Sequence, residues 1–123
     1  MRALAAAGAA AVALVLVACS DNSASTTASN ESIDLGAQVY EARCASCHGA
    51  QLQGTDRGPS HLSIVYEPGH HPDESIRSAI VRGAPQHHWD FGPMPAIEGL
   101  DAAEVEAVID FIRSEQLEQG FQR

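Results

Sequence analysis

The sequence contains no lysine: its positively charged side chains are seven arginines, and sixteen Asp and Glu residues give a formal net charge of −9. Nucleic acids and anionic lipid headgroups are bound through clusters of positive charge. An acidic chain of this kind argues against nucleic acid as a partner and against electrostatic attraction to a lipid surface. Any membrane contact has to come from a covalent lipid.

Aromatic side chains are scarce, and β-forming segments are few. Phe, Trp and Tyr make up 5% of the sequence, and the folded part, from about Ile33 to Arg123, is short for an independent hydrophobic core. Residues 62–66 are the only run of strong β-propensity, so no sheet is predicted. The sequence predicts a small all-α domain over residues 33–123 whose core needs further apolar mass.

The longest apolar run is too short to cross a membrane. It covers residues 3–18, sixteen residues of Ala, Leu, Val and one Gly, whereas a spanning helix needs about 20. A positive charge before this run and small residues after it are typical of a secretion signal, so residues 1–18 are predicted to be a signal peptide. Residues 16–19 resemble the lipobox of bacterial lipoproteins, which implies that cleavage leaves Cys19 as the lipidated first residue. The alternative is an ordinary signal peptide cut near Ala18, with a free thiol at Cys19.

Residues 19–32 change abruptly to small polar side chains without apolar periodicity. Such a segment buries too little surface to offset the entropy lost on ordering. It is predicted to be a lipidated flexible tether, with the protein extracytoplasmic, in the periplasm or on the outer face of the cytoplasmic membrane. Removal of the signal peptide would remove Arg2. The remaining six arginines and sixteen acidic residues then give a formal charge of −10.

Cys44, Cys47 and His48 belong to the motif CASCH at residues 44–48. Two cysteines separated by two residues and followed directly by histidine are the attachment pattern of a c-type haem, in which the thiols bond to vinyl groups and the imidazole binds iron. A redox-active dithiol normally accompanies a strand-helix-strand pattern, and a structural zinc site needs two further ligands at finger-like spacing. One covalent haem c is therefore predicted, and it would supply the missing apolar mass.

Three helices are predicted from periodicity and capping. The first runs from about residue 34 to 43, and the second covers residues 72–83, where proline and two acids suit a helix start and glycine a helix end. The last begins after Asp101, which forms a cap with Glu104. Its apolar residues recur at helical spacing: Val105, Val108, Ile109 and Ile112.

These features together resemble class I cytochrome c over the region 34–114. In that family an N-terminal helix with a glycine and an aromatic residue four positions later crosses the C-terminal helix, and Gly36, Tyr40 and Phe111 match that crossing. The haem motif follows the first helix in that family, whereas in four-helix cytochromes c′ it lies near the C-terminus. The resemblance implies a small all-α fold of three to five helices around one covalent haem, with the terminal helices crossing.

Met94 is predicted to be the second axial ligand of the iron. It lies in the segment FGPMP, residues 91–95, where class I members place their axial methionine. Pro93 and Pro95 restrict the backbone on either side and reduce the freedom lost on binding. The only other methionine, Met1, leaves with the signal. The alternative is a methionine that fills the core of a proline-rich loop.

Two histidine pairs, His70–His71 and His87–His88, give further alternatives. Either His87 or His88 in place of Met94 would produce a bis-histidine haem of lower potential. Alternatively, the four histidines are solvated loop residues, with or without a hydrogen bond to a haem propionate. A third interpretation is that they form a separate copper or zinc site.

Further site residues follow from the resemblance. In class I cytochromes a proline carbonyl after the motif accepts a hydrogen bond from the axial histidine, and residues 58–62 look like that loop. This implies that Pro59 is the acceptor for His48. Tyr66 and Trp89 are candidates for contacts with the haem edge or with a haem propionate. The alternative is that they are ordinary aromatic residues of the core.

Function follows from ligation of the iron. With His48 and Met94 both bound, no substrate reaches the metal, and one-electron exchange through the haem edge remains. The sequence predicts a monomeric electron carrier, not an enzyme, whose acidic surface docks on a redox partner such as a haem-copper oxidase or a quinol-oxidising complex. The competing class is a haem protein with an open or labile sixth site, such as a gas sensor or a peroxidase.

Overall fold

The computed structural model describes residues 23–121, with side chains from residue 29; the predicted signal peptide, Cys19 and the last two residues lie outside this part. The α-helices are, in order, α1 (Ser23–Arg43), α2 (Ala45–His48), α3 (Asp73–Arg82) and α4 (Ala102–Glu118). Ile64–Tyr66 form a 3-10 helix, and residues 23–121 contain no strand beyond an isolated bridge between Ala84 and Met94. The prediction of a small all-α fold is confirmed. None of the helices described combines the length and apolar character that a membrane crossing requires.

α1 begins well before the predicted start near residue 34, so that prediction is wrong. The helix starts at Ser23 and includes residues 23–32 of the predicted tether. No proline or glycine interrupts the sequence between Ser23 and Leu35, and the hydroxyl of Ser32 donates to the Asp110 carboxylate on α4 at 2.7 Å. The segment has little apolar periodicity, so its sequence did not reveal the helix.

α4 follows its prediction closely. Asp101 is the N-cap, and its carboxylate accepts from the Glu104 backbone N–H at 2.9 Å, while the Glu104 carboxylate accepts from the Asp101 N–H at 2.9 Å. This capping box satisfies two backbone donors at the helix start. The predicted apolar stripe is buried in the core: Val105, Val108, Ile109 and Ile112. α3 also lies where it was predicted, between Pro72 and Gly83.

α1 crosses α4 at Gly36, which lies directly against the backbone of Ala107. A Cβ atom on Gly36 would be 1.9 Å from the Ala107 carbonyl oxygen and 2.8 Å from the Cβ of Phe111. Tyr40, one helical turn later, is buried and meets the Phe111 ring edge to face, with centroids 5.4 Å apart. The predicted crossing of the terminal helices is confirmed, and only glycine allows it to be this close.

Gly36→Ala is expected to lower the free energy of unfolding by about 3 kcal/mol, the upper end of overpacking costs, although alanine is the better helix former by about 1 kcal/mol. Chemical denaturation of the haem-loaded protein measures this loss. Gly69→Ala is the matched control, because a Cβ there would have no atom within 4 Å. Its effect should stay within about 0.5 kcal/mol. Equal losses in the two variants would contradict the importance of the close crossing.

Arg113 and Gln116 on α4 fix the loop that precedes α3. The guanidinium of Arg113 donates to the backbone carbonyls of Tyr66, at 2.7 Å, and of His71. The buried amide of Gln116 donates to the carbonyl of His61 at 2.8 Å. The loop between His61 and His71 is therefore held by the last helix, and it forms one wall of the site.

Candidate functional site

The CASCH motif lies on α2, directly after α1. The backbone N–H of Cys44 donates to the Tyr40 carbonyl at 2.8 Å and that of His48 to the Cys44 carbonyl at 2.9 Å. Cys44 and Cys47 are free thiols, the first buried and the second half-buried. Burial raises the pKa of the Cys44 thiol to about 11, whereas redox-active dithiols have a lowered pKa. The site therefore does not favour the dithiol alternative.

His48 is oriented by a backbone carbonyl. Its Nδ1–H donates to the carbonyl oxygen of Pro59 at 2.9 Å, the acceptor that the resemblance implied, so the Nε2 lone pair faces away from that bond and is available to a metal. Gly58 permits this approach, since a Cβ there would be 2.9 Å from the Cys47 carbonyl oxygen and 3.3 Å from Cε1 of His48. Burial lowers the pKa of His48, which keeps the imidazole in its neutral, ligating form.

A cavity of about 580 Å³ opens beside the motif and is lined by Cys44, Cys47 and His48. Cofactor sites have volumes of about 300–1,000 Å³. Tyr66 and Trp89 also line the cavity, and their rings stack with centroids 5.8 Å apart. Its apolar wall comes from α3, α4 and the loop between them: Ile76, Ile80, Ile97, Val108 and Ile112.

Met94 lines the same cavity from the loop between α3 and α4. Its backbone N–H and carbonyl both hydrogen-bond to Ala84, each at 2.9 Å. Gly83, which ends α3 with φ of +77°, packs so closely that a Cβ there would be 2.6 Å from the Met94 carbonyl oxygen. Next along the chain, Ile97 donates to the Ile80 carbonyl at 2.8 Å. These contacts hold the backbone of the methionine loop against the end of α3.

His61 belongs to this site, although the sequence predicts no role for it. Its buried ring stacks on His48, with centroids 4.2 Å apart and planes 21° apart, and its Nδ1 shares a hydrogen bond of 3.1 Å with the Tyr40 hydroxyl. Burial, followed by the nearby His48 and Arg113, lowers the pKa of His61 well below its usual value. A neutral His61 therefore supports one face of the His48 ring. In the sequence, the only indication that His61 lies near His48 was its position two residues after Pro59.

The two histidine pairs meet at the rim of the cavity, where His71, His87 and His88 line it. Nε2 of His87 lies 3.5 Å from Nε2 of His71, and Nε2 of His88 lies 3.3 Å from Nε2 of His70. These imidazoles are directed towards one another. His70, His87 and His88 are exposed loop residues and His71 is half-buried, so the four are solvated as one group at the rim.

The residues around the cavity fit a covalently attached haem. Cys44 and Cys47 would form the two thioether bonds, His48 presents a neutral nitrogen to the iron, and the isoleucine-rich wall excludes water from the porphyrin face. Haem c supplies one-electron exchange at its iron when it is bound. The protein's part is to fix the plane of His48, through Pro59 and His61, and to shield the group.

Comparisons with known proteins agree with this geometry. A family model described as Cytochrome c matches residues 33–116, which include the helix crossing, the CASCH motif and the methionine loop. A comparison with curated proteins found no match. Haem c is the cofactor of this family, and its attachment motif is matched here by Cys44, Cys47 and His48. The chain belongs to the cytochrome c family, as a haem protein that carries electrons.

Proposed function

We propose that the protein is a membrane-tethered one-electron carrier whose haem iron is bound by His48 and Met94. The observation that carries the proposal is that Met94 lines the same cavity as His48 on a loop hydrogen-bonded to the end of α3. A thioether is a weak ligand, so a loop that is already ordered reduces the entropy lost on binding. With both axial positions filled by the protein, the iron has no site for a substrate, and the protein is not an enzyme.

The other ligand sets have less support. A bond from His87 or His88 to the iron would turn that imidazole away from the other histidine pair, which it faces at 3.5 or 3.3 Å, whereas Met94 already lies on the cavity wall. A gas sensor or a peroxidase needs an open sixth position, and a fixed methionine on the cavity wall works against one.

The ferric protein is expected to have a low-spin visible spectrum and the weak near-infrared band of sulfur-to-iron charge transfer. Absorption spectra of the purified full-length protein, with and without azide, measure both. A high-spin spectrum, or azide binding at rest, would contradict the carrier and favour the sensor or peroxidase class. A low-spin spectrum without the sulfur band would favour a bis-histidine haem.

In this proposal, the membrane tether consists of a lipid on Cys19 and the segment that follows it, up to residue 32. Its support is the lipobox-like sequence at residues 16–19 and the acidic chain, which has no cluster of lysines to attract a lipid surface. Because α1 begins at Ser23, much of this segment is helical, and residues 23–32 span about 15 Å at about 1.5 Å per residue. The domain would then lie outside the cytoplasm, in the periplasm or on the outer face of the cytoplasmic membrane.

Cys19→Ser is expected to leave the protein either unprocessed or in the soluble fraction. A single acyl chain binds membranes only marginally, so firm attachment depends on the several chains that a lipoprotein cysteine carries. Membrane fractionation with a salt wash, followed by haem staining, measures the outcome. Ser20→Ala keeps the cysteine and should remain on membranes. Mature Cys19→Ser protein that resists the salt wash would contradict the lipid anchor.

An electron carrier exchanges electrons with other redox proteins. We assign the acidic surface of this protein to docking on a basic patch of such a partner. Arg77 is already paired with Glu74 and Glu106, and Arg113 donates to Asp73 and to the loop before α3. Unpaired negative charge therefore dominates the exterior of the monomer. A haem-copper oxidase or a quinol-oxidising complex with a positive docking surface is the class of partner that this charge suits.

A further inference from the structure

Four histidines at the rim of the cavity form a cluster that electron transfer through haem does not require. The histidine cluster consists of His70, His71, His87 and His88. One ligand nitrogen from each of His70, His71 and His88 lies within 4.8 Å of those of the other two, and Nε2 of His87 lies 3.5 Å from Nε2 of His71. The first pair directly precedes α3, and the second pair lies on the loop that leads to Met94.

Hydrogen bonds fix the tautomer of two of these imidazoles. Nδ1 of His71 lies 2.7 Å from the Val65 carbonyl oxygen, and Nδ1 of His87 lies 2.8 Å from the Pro85 carbonyl oxygen. A carbonyl oxygen only accepts, so each Nδ1 carries the proton and each Nε2 carries a lone pair. A backbone acceptor behind the imidazole is the arrangement that orients metal-ligating histidines.

The two lone pairs of His71 and His87 face each other at 3.5 Å. Neutral rings in these tautomers have no proton to place between the two nitrogens, so the contact is repulsive. A cation between the nitrogens would convert it into two favourable bonds.

Two separations between nitrogens match the edge of a tetrahedral metal site. Zinc–nitrogen bonds of about 2.0–2.1 Å place the corners of a tetrahedron about 3.3–3.4 Å apart. The two Nε2–Nε2 distances in the histidine cluster are 3.3 and 3.5 Å. Imidazole ligands suit zinc and its neighbours in the transition series, whereas magnesium and calcium prefer oxygen.

The backbone beneath the histidine cluster is held in place without a metal. The N–H groups of His70 and His71 both donate to the Glu67 carbonyl, at 3.0 and 2.8 Å. On the opposite side, the Gln86 side-chain oxygen accepts from the Gly92 N–H at 2.8 Å, which closes the loop around the second pair. Ligands on such a frame lose little conformational freedom on binding.

We propose that the histidine cluster binds one zinc-type divalent transition-metal ion through His70, His71 and His88, with His87, which adjoins His71, as the candidate fourth ligand. The negative charge of the chain raises the local concentration of cations. The ion would join the segment before α3 to the methionine loop and so restrain the outer edge of the haem cavity. The site stands on the imidazole geometry; it does not require Met94 to be the sixth haem ligand, but it does require that no histidine of the cluster binds the iron.

Isothermal titration of the full-length, haem-loaded protein with Zn²⁺, after treatment with a chelator, tests the proposal. One Zn²⁺ per chain is expected, with no heat from Mg²⁺. His70→Ala/His88→Ala should weaken zinc binding by about 100-fold or more, and His87→Ala by about tenfold or more. Asp56→Asn/Glu98→Gln is the control, because it removes two exposed negative charges and no imidazole. Its affinity should stay within about twofold of the wild type.

Thermal unfolding gives a second measurement, since a ligand that binds only the folded state raises the midpoint. Zinc should raise the midpoint of the wild type and of the control, but not that of His70→Ala/His88→Ala. Unsaturable binding, unchanged affinity in the histidine variant, or an equal loss in the control would overturn the proposal. A change in the haem absorption bands of metal-free His70→Ala/His88→Ala would also overturn it, because it would identify an imidazole of the cluster as an iron ligand.

Discussion

Cys44→Ser/Cys47→Ser is expected to abolish covalent haem attachment and, with it, most of the cooperative unfolding of the domain. Serine forms no thioether, and the cavity of about 580 Å³ between α2, α3 and α4 would lose the group that fills it. Small domains have little stability to spare, and a cofactor that binds only the folded state contributes to it directly. Acid-acetone extraction measures attachment, and thermal circular dichroism measures unfolding.

Ser46→Ala is the matched control for this experiment, because it changes the motif and keeps both thiols; it removes only the long 3.9 Å contact of the Ser46 hydroxyl with the Cys47 sulfur. It should keep its haem through extraction and unfold with a sharp transition, as the wild type does. Haem released from the wild type into the organic phase would contradict covalent attachment. A double variant that unfolds as sharply as the wild type would contradict the stabilising role of haem.

Met94→Ala is expected to remove the sulfur-to-iron band, to open the iron to azide, and to lower the reduction potential by on the order of 100 mV or more. A neutral thioether favours ferrous over ferric iron, so its loss favours the oxidised state. Near-infrared absorption, azide titration and a redox titration measure the three effects.

Pro95→Ala keeps the thioether and relaxes the backbone beside it. The band should therefore persist in this control, with azide displacing the methionine more easily than in the wild type. A band that survives in Met94→Ala would show that another group supplies it. A wild-type protein without the band would direct the same tests to His87→Ala and His88→Ala.

The elements that the sequence predicted well are those set by neighbouring residues. Asp101 and Glu104 form their capping box within one helical turn, and the CASCH motif needs only a single turn to present its side chains. Gly36 was informative because a glycine inside a helix costs stability. Its presence therefore indicated a place where another helix packs too closely for a side chain.

The features that were missed depend on residues distant in the sequence. The stacking of His61 on His48 and its bond to Tyr40 require the loop after the motif to fold back over α1, which no local pattern encodes. The histidine pairs are separated by the whole of α3, so their mutual orientation arises only in the folded chain. The early start of α1 lies on a segment whose own composition is typical of a coil, so composition did not reveal it.

α4 follows the CASCH motif in the chain, and this sets an order of assembly for the domain. α4 provides the surface that locks α1 at Gly36 and the side chains, Arg113 and Gln116, that fix the loop over the cavity. Chains are synthesised from the N-terminus, so Cys44 and Cys47 are complete long before the helix that closes the domain exists. The domain can therefore close only when α4 has packed against α1 at Gly36, after the CASCH segment has already been synthesised.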